Sequence, residues 1–144
     1  MKNSSLSKFA LPNGLRIITQ HLPSVDSITI YLTVGAGPRI ETEETAGLAH
    51  FLEHMLFEGT DRFPSSKELA TYIESVGGRS GAFTEKEFVL FYVKIPKKDI
   101  DMGIHYLSEI LFRSKLENSA IKKEKNIVLE ELKRKLDNPE VEIW

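Results

Sequence analysis

The sequence predicts an α+β fold, with a mixed, mainly antiparallel sheet and helices packed on one side of it. Three observations carry that expectation. Short β-branched runs at 27–34 and 88–95 alternate apolar and polar side chains, as half-buried strands do. The stretches 99–112 and 118–136 instead repeat apolar residues every three or four positions, the helical period. The strand runs and helix runs are mixed rather than strictly alternating, which disfavours a parallel βαβ arrangement.

Each element has a local cause. Phe9 to Thr19 reads as two short strands around Asn13-Gly14, the strongest short hairpin signal. Ser27 to Val34 is a third strand, stopped by Gly35-Ala36-Gly37-Pro38. A first helix is expected from about Glu43 to Glu58, with Glu41, Glu43 and Glu44 favouring its positive end and Gly59 ending it. Leu48, Leu52 and Met55 form an apolar stripe that would anchor this helix in the core. A second helix begins at Ser65, where Ser65 and Glu68 have capping-box spacing, and ends before Gly77-Gly78.

Arg79 to Thr84 and Phe88 to Ile95 are two further strands, joined by Glu85-Lys86-Glu87 and closed by Pro96. The helix from Asp99 to Phe112 has apolar residues at Ile100, Ile104, Leu107 and Leu111. The one from Asn118 to Leu136 has them at Ile121, Val128, Leu132 and Leu136. Asn138-Pro139 stops the last helix. Val141-Glu142-Ile143-Trp144 then puts apolar side chains at a terminus where polar disorder is usual, which reads as a truncation or as a segment that docks elsewhere.

Composition narrows the function classes. With 144 residues, 41 % hydrophobic and 28 % charged, the chain has the make-up of one ordinary globular domain, and no linker or repeat divides residues 1–144. Nineteen basic against twenty-one acidic residues give a net charge of −2 with no basic stripe, so no nucleic-acid partner is expected. Residues 1–7 lack the apolar run of a secretory signal, and no stretch is long and apolar enough to span a membrane. A cytoplasmic protein with no membrane partner is the expectation. The absence of cysteine leaves His, Asp and Glu as the strong ligands for a metal ion.

His50-Phe51-Leu52-Glu53-His54 is the stretch richest in chemistry. Residues four apart on a helix are neighbours, so His50 and His54 can reach one ion, and Glu53 lies between them on the same face. Two imidazoles leave a site incomplete, since catalytic zinc takes three protein ligands and keeps one position open. His21 and His105 are available, but both read as surface or partner-bonded histidines. Glu131 on the last helix is the better third ligand, with Glu124 seven residues earlier and nearly above it. Without that context, Glu124, Glu130 and Glu131 would be a solvated face interleaved with lysines. The chemistry such a set supports is metal-assisted hydrolysis, with water acidified at zinc and Glu53 as general base.

The surroundings of the motif, Gly47 to Thr60, closely resemble the signature of the family of pitrilysin, insulin-degrading enzyme and mitochondrial processing peptidase, inverted zincins with His-x-x-Glu-His. The resemblance runs from roughly Gly14 to Asn138 and includes Gly37 to Glu41, Gly77-Gly78 and Glu124 to Glu131. It implies a zinc metalloendopeptidase acting on extended or unfolded peptide. Glu131, 77 residues after His54, would be the third ligand and Glu124 its support, with adjacent Glu130 the rival.

The resemblance also implies an edge strand that pairs with substrate. The family usually reads Asn-Ala-aromatic-Thr there, where this chain has Gly81-Ala82-Phe83-Thr84, so the asparagine side chain is lost while backbone pairing survives. Family members have two homologous halves that close on the peptide. The expectation is therefore an N-terminal segment, lacking the rest of its half and the second half or partner subunit, and inactive or weak in isolation. The alternative is a non-catalytic scaffold or peptide-binding fragment of the same fold.

Overall fold

The structure, a computed structural model, describes residues 5–137. It holds β1 (Ser5–Ala10), β2 (Arg16–His21), β3 (Ser27–Val34), α1 (Leu48–Leu56), α2 (Ser66–Glu74), β4 (Arg79–Thr84), β5 (Val89–Pro96), α3 (Ile100–Phe112) and α4 (Asn118–Leu136), with single 3₁₀ turns at Pro38–Ile40 and Lys97–Asp99. The expectation for Val141 to Trp144 lies outside the described residues. No helix among the described residues is long and apolar enough to cross a membrane.

The architecture is the expected α+β class, with every strand pair antiparallel. β1 and β2 form a hairpin of their own around Asn13-Gly14, where Gly14 takes φ +88° and the Leu15 N–H donates to the Asn13 side chain at 3.1 Å. The other sheet has the order β3-β5-β4, so β4 is an edge strand among the described residues. Alternation on the central strand decides which face is buried. Val89, Phe91, Val93 and Ile95 point inward with at most 6 % exposure and meet Leu69 and Ile73 of α2 and Tyr106, Leu107 and Ile110 of α3. Lys94 on β5, Arg79 and Phe83 on β4 and Tyr31 on β3 lie on the opposite, exposed face. Each large side chain buried this way contributes roughly 1.5–3 kcal/mol, and the helices consequently gather on one side.

Helix boundaries and faces depart from the sequence reading in instructive ways. α1 starts at Leu48 rather than Glu43, because Gly47 sits in the left-handed region at φ +87° and breaks the helix there. Glu41 supplies the cap from a distance: its two carboxylate oxygens accept from the Gly47 and Ala49 N–H groups, each at 2.7 Å. Of the expected α1 stripe only Met55 is buried; Leu48 is 54 % and Leu52 42 % exposed.

α3 is rotated relative to its apolar pattern. It buries Gly103, Tyr106, Leu107 and Ile110, while Ile104 stays exposed. Gly103 explains the rotation, since a Cβ there would stand 2.8 Å from Ile95 Cδ1 and 3.1 Å from Ile30 Cδ1. The bare backbone lets α3 lie close on the sheet by that face. α4 has the expected bounds but buries only Val128 and Glu124 among its described side chains, with Ile121 and Leu132 open.

Candidate active site

The site lies where α1, α4 and the end of β4 meet. α1 places His50 and His54 one turn apart, their rings 4.8 Å between centroids and nearly perpendicular. α4 crosses α1 so that Glu131 faces both. Its Oε2 is 3.6 Å from His50 Nε2 and 3.7 Å from His54 Nε2. One ligand atom from each residue lies within 4.8 Å of the others, a cluster that could hold a metal ion. Both histidines are about one-fifth exposed and Glu131 38 %, so the cluster is open to solvent on one side.

Glu124 fixes the orientation of one imidazole. It is 4 % exposed, and its Oε2 accepts from His54 Nδ1 at 3.1 Å. With Nδ1 carrying the proton, the His54 Nε2 lone pair is directed toward Glu131, the tautomer a metal ligand needs. The second Glu124 oxygen lies 3.3 Å from Lys123 Nζ, which also donates to both oxygens of Glu58 at 2.8 and 3.0 Å. Those hydrogen bonds to Glu58 hold the Lys123 ammonium above its ordinary pKa. Lys123 thus ties the end of α1 to α4 and partly balances the buried Glu124 carboxylate.

Glu130, the rival ligand, turns outward. It is paired with Lys133 at 2.7 Å, a hydrogen bond that pulls its carboxyl below the usual range. His105 lies elsewhere, against Arg62 at 2.8 Å and the Phe63 and Tyr72 rings, and His21 is on the β1–β2 hairpin.

Glu53 shares the α1 face with the histidines but is held by a different element. The Thr84 hydroxyl at the end of β4 donates to Glu53 Oε2 at 2.5 Å. Gly81, Ala82, Phe83 and Thr84 therefore run along an edge strand that ends against Glu53. Gly81 also has a steric reason to be glycine, since a Cβ would stand 2.9 Å from the Tyr92 ring across the sheet. Sequence reasoning missed the Thr84–Glu53, Lys123–Glu58 and Ser80–Tyr106 contacts. Each joins residues far apart in the chain, and nothing in local spacing signals them.

Comparison with known proteins gives concordant results. The family model described as Insulinase (Peptidase family M16) matches residues 16–143. The chain is 37 % identical over 135 residues to the uncharacterized zinc protease YmxG of Bacillus subtilis, covering 94 % of this chain and 33 % of that protein. It is 40 % identical over 121 residues to the mitochondrial-processing peptidase subunit beta of Saccharomyces cerevisiae, covering 84 % and 26 %. The crystal structure of a protease from Helicobacter pylori superimposes with a TM-score of 0.88 at 24 % identity, over 96 % of this chain and 33 % of that one, a likeness of fold. The chain spans about a third or less of the length of the relatives it matches.

Proposed function

The chain belongs to the insulinase family, peptidase family M16, and from that premise we propose that it is the metal-binding N-terminal segment of a zinc metalloendopeptidase that cleaves extended peptides. The observation that carries the reading is the convergence of His50 Nε2, His54 Nε2 and Glu131 Oε2 beside a carboxylate, Glu53, that belongs to no ligand pair.

The residues fit a zinc ion. Donor atoms held about 2.0–2.2 Å from an ion at tetrahedral angles lie roughly 3.4 Å apart, close to the 3.6 and 3.7 Å separations of Glu131 from the two imidazoles. Two imidazoles and one carboxylate form a ligand set that leaves a fourth position open, as catalytic rather than structural zinc requires. When bound, the ion supplies Lewis-acid chemistry, acidifying water and polarising a carbonyl.

The chain's own residues do the remaining work. The Glu53 carboxylate, positioned by the Thr84 hydroxyl that donates to Oε2, keeps lone pairs free to take a proton from the attacking water and return it to the leaving amine nitrogen. Glu124 keeps His54 in its Nδ1–H tautomer through the reaction. The free edge of β4 presents backbone N–H and C=O groups to an extended peptide, which pairs with Gly81 to Thr84 and is delivered to the Glu53 end of the strand. The relatives' greater length supports residues beyond these 144, in the same polypeptide or a partner subunit, closing over the peptide. A non-catalytic, peptide-binding role is the competing reading.

Metal analysis and kinetics on the full-length protein decide between them. The expected outcome is one zinc per site, with Glu53→Gln retaining the metal while peptide hydrolysis drops about 10²–10⁴-fold, the usual worth of a general base. A protein that binds no zinc, or a Glu53→Gln variant that cleaves at the wild-type rate, overturns the proposal.

A further inference from the structure

The two ends of β4 differ in chemistry. Thr84 closes one end against Glu53, and Arg79 opens the other, roughly 17 Å away along the strand. Arg79 stands directly opposite Lys94 of β5, so both side chains lie on the sheet face turned away from the helices. Both are exposed.

Like charges directly opposite on a sheet repel, and the fold supplies no acid to relieve this pair. Among the described residues neither Arg79 nor Lys94 enters an ion pair. Together with Asp26, Ser27, Ile95 and Pro96 they line a cavity of about 320 Å³ at this end of the sheet. Asp26 alone is acidic among these residues, and Lys97 both hydrogen-bonds to it and matches its charge. The cavity therefore keeps two cations unbalanced.

Position decides what can meet them. A peptide paired with the free edge of β4 puts the side chain of its residue opposite Arg79 on the same face as the guanidinium. That residue lies about five positions from the one opposite Thr84, at the Glu53 end of the strand. An acidic side chain there is within cross-strand reach of Arg79, and the Lys94 charge one strand further in adds attraction without contact. A basic side chain in the same place meets two like charges.

We propose that Arg79 and Lys94 form an anion subsite that selects, in the extended peptide, a carboxylate about five residues from the cleaved bond. The inference rests on the peptidase reading and names the substrate class of that site.

The test uses the full-length protein and two peptide sets, with cleavage positions mapped by mass spectrometry. In terminally blocked peptides a single glutamate, or lysine for comparison, is moved stepwise away from the cleaved bond on either side. In glutamate-free peptides the chain ends at the same distance with a free or an amidated carboxy terminus, which separates a terminal carboxylate from a side-chain one. Wild type is expected to favour glutamate over lysine about fivefold in kcat/KM at one position about five residues from the bond, and the preference should shrink in high salt, as exposed charge pairs do. Arg79→Glu/Lys94→Glu should reverse it toward lysine at that position alone. A preference confined to the free carboxy terminus assigns the subsite to chain ends. No discrimination in either set, or the wild-type profile retained in the charge-reversed variant, overturns the proposal while leaving the peptidase reading intact. If that variant does not fold, Arg79→Gln decides by the same criterion, with most of the preference lost. Absence of any metal-dependent cleavage by wild type overturns the peptidase reading and this inference with it.

Discussion

His54 and Glu124, seventy residues apart in sequence, meet at 3.1 Å through Nδ1 and Oε2, with Glu124 the most buried carboxylate beside the cluster. The pairing makes α4 a support for α1 as well as a source of Glu131. Glu124→Gln keeps a hydrogen-bond acceptor for Nδ1 but loses the negative charge that faces it. Zinc affinity should fall about 10–100-fold, as for other partners that orient a metal-ligating histidine. Competition with a chromogenic chelator measures it. An unchanged affinity would mean that Glu124 does no more than fill space.

Glu41 closes the other end of the same helix. Its carboxylate accepts from the Gly47 and Ala49 N–H groups, two donors that an α-helix start leaves unmatched. Glu41→Ala should lower stability by about 0.5–2 kcal/mol, the range for a lost N-cap, and Glu41→Gln by less because the amide oxygen still accepts one bond. Denaturant midpoints report the order. Equal losses in the two variants, or none, would assign the start of α1 to packing alone.

The strands and the helical spacing of the metal motif were legible because both are local. Alternation at 27–34, the Asn13-Gly14 turn and Pro96 depend on a few neighbouring residues, and His50, Glu53 and His54 share a face in any regular helix. The orientation of long helices was not legible. The apolar patterns of α1, α3 and α4 each admit several buried faces, and the outcome depends on which partner arrives: Gly103 rather than Ile104 met the sheet because the closest approach wins more contact. Spacing alone groups Glu41, Glu43 and Glu44 as a charge effect at the helix start, whereas Glu41 acts by direct hydrogen bonds. Contacts such as Thr84 with Glu53 follow from where the sheet edge ends against α1, which no spacing within either element encodes.

Gly59 turns the chain out of α1 toward α2 at φ +143°, and a Cβ there would stand 2.7 Å from the Pro64 carbonyl oxygen and 2.9 Å from its carbon. Both the backbone region and the backbone neighbour oppose any side chain, and neither can give way as the tip of a side chain can. Gly59→Ala should therefore cost more than Gly103→Ala. The latter has methyl ends of Ile95, Ile30 and Val93 as its three nearest neighbours and recovers about 1 kcal/mol of helix propensity. Paired thermal or denaturant unfolding of the two variants tests the ranking, and a Gly103→Ala variant that is the less stable of the two contradicts it.

Tyr106 gives the alkaline limb of stability a defined sign. Burial raises its pKa above the ordinary value of about 10, partly offset by the hydrogen bond with Ser80. A folded-state pKa above the unfolded one means that between the two values the folded chain holds a proton that the unfolded chain has released. The stabilisation is complete below about pH 10 and is lost as pH rises through the folded value. Tyr106→Phe removes this dependence while keeping the ring that packs against the sheet. Denaturant midpoints from pH 8 to 11 should fall more steeply for wild type than for Tyr106→Phe. Parallel curves would show that the phenol titrates alike in both states and is not held in the neutral form by the core.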